Sequence, residues 1–319
     1  MLHLTVLGSG SAGNCAVVSS GATHLLVDAG LSARQIARRM EKAGLEAEAA
    51  SAILLTHEHG DHTKGIDVFC RGREVPVYAN PLTRESLAGS LKSAPRWKLI
   101  DAGSAFAIGD IEVRAFSVAH DAADPVGYVF DDGESRLGVV SDLGYATAAV
   151  RQALRGVQTL FMEANYDEAM LANDTKRPWS TKQRIMARHG HLSNAQAADL
   201  AAEVAEGGAL ERIVLGHLSR DCNDPDAAIH AVRTKLALRG WSHIEILCAE
   251  QEEPLRPMPA CAKRAQPAAP VAAPQPPPRR DPRPVAPAGP AASSERREPP
   301  TRRRSNRDSR WVQVELCFD

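Results

Sequence analysis

The chain has 319 residues, a formal net charge of -1, 44% apolar but only 4% aromatic side chains, and six scattered cysteines with no CxxC pair. This excludes a disulfide-built scaffold and a zinc ribbon, and no apolar run reaches the ~20 residues that span a bilayer. A cytoplasmic protein with reduced thiols and no membrane association is the expectation.

Proline and charge divide the chain. Fifteen of the 21 prolines lie from Pro254 to Pro300; residues 1–253 carry 25 basic and 33 acidic side chains, whereas residues 254–310 carry 13 basic and 4 acidic ones. The expected organisation is a folded domain over 1–250, a disordered Pro/Ala/Arg-rich linker over 251–310 and a short strand-like segment over 311–319.

In chain order, Leu2 to Leu7, Cys15 to Ser20 and His24 to Asp28 read as strands separated by glycine turns, and residues 33–43 as a helix capped by Ser32 and stopped at Gly44. The loop Gly8-Ser9-Gly10-Ser11-Ala12-Gly13 fits GxGxxG, but a strand follows it where a dinucleotide site needs a helix. It is either a loop that offers backbone N–H groups to a phosphate or a plain turn. The apolar run Ser51 to Leu55 ends in Thr56-His57-Glu58-His59-Gly60-Asp61-His62, which puts three imidazoles and two carboxylates within seven residues. Such ligands suit zinc, manganese and iron alike. On a loop, His57 and His59 can face one ion while Asp61 and His62 face another.

Helices are expected over 65–70 and 82–91, and strands over 75–78, 98–101, 111–118, 126–130 and 136–141. The second half alternates: helix 147–154, strand 157–162, helices 181–188 and 194–205, strand 212–215, helix 225–238, strand 244–248. His120, Asp142 and His217 each end an apolar strand, where further ligands would sit. Two sheets with helices outside give an α/β fold of αββα four-layer type.

Val27-Asp28-Ala29-Gly30, Thr56 to His62, His120, Asp142 and His217, in that order, resemble the motifs of the metallo-β-lactamase superfamily over nearly all of residues 1–250. The resemblance implies His57, His59 and His120 on one divalent ion, Asp61, His62 and His217 on a second, Asp142 bridging, and hydrolysis by water activated on the ions, with Asp61 in a catalytic part. Phe161-Met162-Glu163-Ala164-Asn165-Tyr166, followed by Gly190-His191-Leu192-Ser193, resembles the Glu and GH[ST] pair of tRNase Z; this implies that His191 protonates the leaving oxygen and Glu163 orients it. Only 74 residues separate Asp142 from His217, so the extra domain of the β-CASP nucleases is absent. Together with Leu215-Gly216-His217-Leu218-Ser219-Arg220 and Asn223, these stretches are similar to the compact YycJ/WalJ subgroup. That similarity implies a metal-dependent 5′-to-3′ exonuclease on DNA rather than RNA, a part in DNA repair, and substrate contacts from Ser9, Ser11, Asn14, Asn165, Ser219 and Asn223.

Two rival readings stand beside it. One is a small-molecule hydrolase of thioester, lactone or cyclic phosphodiester type on the same fold. The other is a non-catalytic scaffold with a structural metal, against which the Glu163 and His191 pair argues, because structural sites close their coordination and need no acid. The twelve arginines of the basic stretch make it either a solvated linker or a sequence-independent phosphate grip. Val312, Val314, Leu316 and Phe318 alternate, as suits a strand added to a sheet edge of this chain or of a partner protein.

Overall fold

The computed structural model describes residues 1–92 and 94–261. Among them, two seven-stranded sheets pack face to face. The first contains β1 (His3–Gly8), β2 (Cys15–Ser20), β3 (Thr23–Val27), β4 (Ala52–Leu54), β5 (Pro76–Ala79) and β6 (Arg96–Leu99) in chain order. The second runs in reverse order across its width from β13 (Glu245–Cys248) through β12 (Arg212–Gly216), β11 (Thr159–Glu163), β10 (Arg136–Val140), β9 (Val126–Asp131) and β8 (Ile111–Ser117) to β7 (Ala105–Ile108). The chain then returns to the first sheet, where β14 (Met258–Pro259) pairs antiparallel with β1.

Alternation along the strands builds three apolar layers. Leu4 and Val6 of β1, Leu25 and Val27 of β3 and Leu54 of β4 face Tyr128, Phe130, Val139, Phe161 and Val214 of the opposite sheet. Their neighbours Leu7, Val17, Leu26 and Ile53 point the other way, onto Ile36 and Met40 of α1 (Ala33–Lys42) and onto Ile66 and Phe69. Ile213, Leu215, Leu160 and Met162 pack outward on the second sheet against the later helices. The four-layer αββα expectation is therefore met.

The helices begin where local chemistry satisfies their first N–H groups. Ser32 caps α1 in a capping box with Gln35, and two one-turn helices follow it, α2 (Gly60–Thr63) and α3 (Ile66–Phe69). Asn80 caps α4 (Pro81–Leu87), Thr147 caps α5 (Ala148–Ala153) and Asp167 caps α6 (Glu168–Asn173). After α7 (Trp179–Ile185), Ser193 caps α8 (Asn194–Ala205) in a second box, and Asp224 caps α9 (Pro225–Leu238) with proline in its first turn.

Several boundaries differ from expectation. The His-rich stretch is a loop only as far as His59; from Gly60 it makes the helical turn α2, because His62 N donates to His59 O at 2.9 Å. β6 starts two residues before the expected strand, and β7 was not foreseen; it is a half-exposed hairpin partner of β8, turned at Gly109 with φ 59°. The domain does not end at residue 250, as expected, nor is 251–261 a disordered linker. Leu255 N donates to Val6 O at 2.9 Å and Ala260 N to Leu2 O at 2.8 Å, and Ala260 is fully buried. Those apolar residues between the first tail prolines find unpaired backbone on β1, which fixes them. The remainder of the expected linker and the segment 311–319 lie outside the described residues. No helix among the described residues is long and apolar enough to cross a membrane.

Candidate metal centre

Pairing directions place the carboxyl ends of β1, β3 and β4 along one edge of the first sheet, and those of β8, β10, β11 and β12 along one edge of the second. Ligand crevices form at such ends. Three strand-end residues there, Asp28, Asp142 and His217, are the non-glycine residues with positive φ among the described residues, at 62°, 48° and 52°. Each such backbone costs on the order of 1–3 kcal/mol and persists only where packing and hydrogen bonds over-determine it.

Asp28 aims the cluster. Its Oδ1 and Oδ2 accept from Thr56 N and Thr56 Oγ1, both at 2.8 Å, and its Oδ2 lies 2.8 Å from His62 Nδ1. Gly30, two residues on, packs against the turn that carries Asp61: its N–H donates to Asn14 O at 2.8 Å, and a Cβ there would lie 1.6 Å from Asp61 O. Backbone cannot yield as a side-chain tip can. Gly30→Ala is expected to cost about 3 kcal/mol or more, seen as a lowered denaturation midpoint together with loss of bound metal; an unchanged midpoint would show that the turn is free to move.

Two groups of donor atoms converge. His57 Nε2 and His59 Nδ1 are 3.1 Å apart, and His120 Nε2 is 3.4 Å from that His59 nitrogen. His120 Nδ1 donates to Gly190 O at 3.0 Å, which turns the Nε2 lone pair to the cluster. Asp61, His62 and His217 form the second group, their donor atoms within 4.8 Å of one another. Asp142 stands between the groups: Oδ2 is 2.6 Å from His62 Nε2 and 3.6 Å from His57 Nε2, and Oδ1 is 3.1 Å from His217 Nε2. Asp142 Oδ1 is buried and accepts no hydrogen bond. A buried, unbonded carboxylate oxygen ringed by imidazoles fits a cation, and the imidazole and carboxylate set fits divalent metal ions of borderline hardness.

The electrostatics agree. Burial chiefly, with neighbouring imidazoles, pushes His57 well below the usual histidine range, and burial lowers His120 as well. Both are neutral at pH 7, as metal ligation requires. Burial alone would raise the Asp142 carboxyl, yet His217, His62 and His57 hold it well below the carboxylate range. His62 is likewise buried against its charge, but Asp142 and Asp28 push it well above the histidine range, so this point of the site calls for positive charge.

Beside the cluster, His191 Nδ1 lies 2.5 Å from Glu163 Oε1 and 3.5 Å from Asp142 Oδ1. Glu163 Oε2 accepts from Leu143 N at 2.7 Å, so this fully buried carboxylate is pinned at both oxygens. Burial opposes charge on His191, but Glu163 and Asp142 overcome it and push it from 6.5 up to about 9. Folding thus favours its protonated form, a contribution to stability that is complete below pH 6.5 and is lost as pH rises through 9. The melting temperature of chelator-treated protein is expected to fall across that window, and Glu163→Gln to flatten the fall; parallel profiles would remove the Glu163 pairing as its cause.

The structure brings together His57, His59, Asp61, His62, His120, Asp142, His217, Glu163 and His191. It gives most of the expected substrate contacts other work. Ser9 Oγ accepts from His217 N at 2.8 Å, and Asn165 Nδ2 donates to His217 O at 2.8 Å. Asn14 Oδ1 accepts from Gly10 N at 2.8 Å, while its Nδ2 lies 3.2 Å from Asp61 Oδ2. Asn223 exchanges hydrogen bonds with Asn194 and donates to Ala164 O. All four are buried and hold ligands and loops in place, and Ser9 and Asn223 also line the cavity of about 490 Å³ next to the cluster. Ser11 and Ser219 remain at the surface of the crevice. Ser11 lines both a cavity of about 300 Å³ over the cluster and a neighbouring one of about 490 Å³ that Ser219 also lines.

The glycine-rich loop is not a general N–H cradle. Ala12 N donates to Gln251 Oε1 at 2.9 Å and Gln251 Nε2 to Gly13 O at 2.8 Å, while Arg39, buried, donates to Leu7 O and Gln251 O. Sequence reasoning missed Gln251, for which no local signal exists, and the roles of Asp28 and Arg39. An arginine at a helix position between Ile36 and Met40 was the available sign for the last.

Residues 23–218 match the family described as the Beta-lactamase superfamily domain. The chain is similar to exodeoxyribonuclease YycJ of Bacillus anthracis, with 36% identity over 259 residues covering 80% of this chain and 97% of that protein. It is also similar to exodeoxyribonuclease WalJ of Streptococcus pneumoniae serotype 2, with 32% identity over 238 residues covering 73% of this chain and 87% of the relative. The crystal structure of the metallo-β-lactamase fold protein YhfI from Bacillus subtilis superposes with a TM-score of 0.61 at 17% identity, covering 80% of this chain and all of that one.

Proposed function

The chain belongs to the metallo-β-lactamase superfamily, in its YycJ/WalJ branch, and is a metal-dependent hydrolase; from that premise we propose that it is a dinuclear phosphodiesterase that removes nucleotides from the 5′ end of DNA. The observation that carries the proposal is the Glu163 and His191 pair set against Asp142 at the rim of an open crevice. A phosphodiester needs both stabilisation of negative charge at phosphorus and a proton for the departing alkoxide. His57, His59 and His120 would hold one divalent ion and Asp61, His62 and His217 the other, with Asp142 shared. Ions held there supply Lewis acidity towards the phosphoryl oxygens and lower the pKa of a bound water.

The chain's own residues do the rest. Asp28, Thr56 and Gly190 fix the orientation of the imidazoles, and Ser9, Asn14 and Asn165 fix His217 and Asp61. Glu163 holds His191 at Nδ1, which leaves Nε2 to deliver a proton to the leaving oxygen. Ser11, at the junction of the two cavities, is placed to meet a substrate running from one into the other. A crevice that continues past the cluster favours a polymer over a small thioester or lactone. The test is digestion of duplex and single-stranded DNA labelled at either end, with manganese or zinc added to chelated protein. Loss of the 5′ label as mononucleotides is expected; absence of cleavage of any polynucleotide, with turnover of a small ester, would replace this reading by the small-molecule one.

A further inference from the structure

We infer that Arg184 reads the 5′-terminal phosphate of the strand being digested, an assignment that rests on the exonuclease reading above. The chemistry fixes which side of the crevice the released nucleotide occupies. In 5′-to-3′ hydrolysis the water oxygen bonds to phosphorus and the bond from phosphorus to O3′ of the terminal nucleoside breaks. O3′ takes the proton from His191, and the retained strand keeps the new 5′-phosphate. The released nucleotide therefore lies on the His191 side of the cluster.

That side is walled by the end of α7. His191 N donates to Ile185 O at 2.9 Å, and Gly190 sits so close that a Cβ would lie 2.2 Å from Ile185 O. Thr181, Arg184 and Ile185 line the 300 Å³ cavity there, a volume at the low end for small-ligand sites and suited to one nucleotide. Apart from the histidines, Arg184 is the cationic residue lining it. Its Nε lies 2.6 Å from Asp121 Oδ2 and one terminal nitrogen also lies 2.6 Å from that oxygen. This fixes the guanidinium plane and leaves the other terminal nitrogen available. An exposed ion pair of this kind is weak, and the fork geometry suits phosphate.

Local charge points the same way. Residues 181–190 carry Lys182, Arg184 and Arg188 and no aspartate or glutamate, in a domain with an acid excess. On the opposite side the retained strand has the larger cavity beyond Ser11, lined by Arg177 and Arg220.

The experiment compares kcat/KM for otherwise identical oligonucleotides bearing a 5′-phosphate or a 5′-hydroxyl, in wild type, Arg184→Ala and Arg184→Lys, all metal-replete. The wild type is expected to prefer the phosphate at least tenfold, mainly through KM. Arg184→Ala should cut that ratio at least fivefold, and Arg184→Lys should restore part of it. A wild type indifferent to the end group, or a uniform loss in Arg184→Ala that keeps the ratio, overturns the assignment. Digestion from the 3′ end would overturn it while leaving a nuclease in place, whereas failure to cut either oligonucleotide would remove the nuclease reading and this assignment together.

Discussion

Asp142→Ala is expected to lower hydrolysis by more than about 10³-fold, since a group that secures two ions controls several kcal/mol of transition-state stabilisation, and to reduce bound metal below two ions per chain. The reason is positional. Among the described residues Asp142 is the carboxylate whose oxygens approach members of both donor groups, His57 on one side and His62 and His217 on the other. It also holds a left-handed backbone at φ 48° that alanine tolerates less well. Without it, His62 keeps Asp28 at 2.8 Å and the more distant Asp61 at 3.5 Å as anionic partners, and the imidazoles around the gap face one another. Metal analysis of dialysed protein alongside end-labelled DNA assays checks this. Retention of two ions with wild-type turnover would place the shared ligand elsewhere.

His191→Ala should behave in the opposite way with respect to metal. The ring bonds Glu163 and lies beside the cluster without belonging to either donor group, so both ions should stay bound while turnover of DNA falls about 10²- to 10⁴-fold, the usual worth of general acid catalysis. Leaving-group chemistry gives a sharper reading. A nucleoside phosphodiester of p-nitrophenol needs little protonation, so the variant should lose far less on it than on DNA. Equal loss on both substrates would mean that His191 supports the cluster rather than donating a proton.

Much of this site was legible because its ligands are local or sit at strand ends. His57 to His62 lie within six consecutive residues, and His120, Asp142 and His217 each follow an apolar run that reads as a buried strand. The hydrogen bonds by which Ser9, Asn14, Asn165 and Asn223 steady ligands and loops were hidden for a physical reason: a polar residue beside a ligand looks the same in sequence whatever it bonds, and its partners are set by the fold. Gln251 bonds Gly13 and Arg39 across more than 200 residues of sequence, a relation that no local pattern encodes. The misplaced boundary at 250 came from proline density, which is blind to Leu255 and Ala260 finding an open edge on β1. β7, short and half exposed, offered too little apolar contrast to stand out.

The return of the chain to β1 also orders events in time. The loop that steadies His217 and Asp61 leaves the ribosome more than 200 residues before its clamp, Gln251, and before β14, the strand that closes β1. Loop-closure entropy makes such distant pairing slow. The nascent chain must therefore wait with β1 unpaired on one side, and assembly of the catalytic crevice becomes a late step of folding, completed only after Gln251 and β14 have been synthesised.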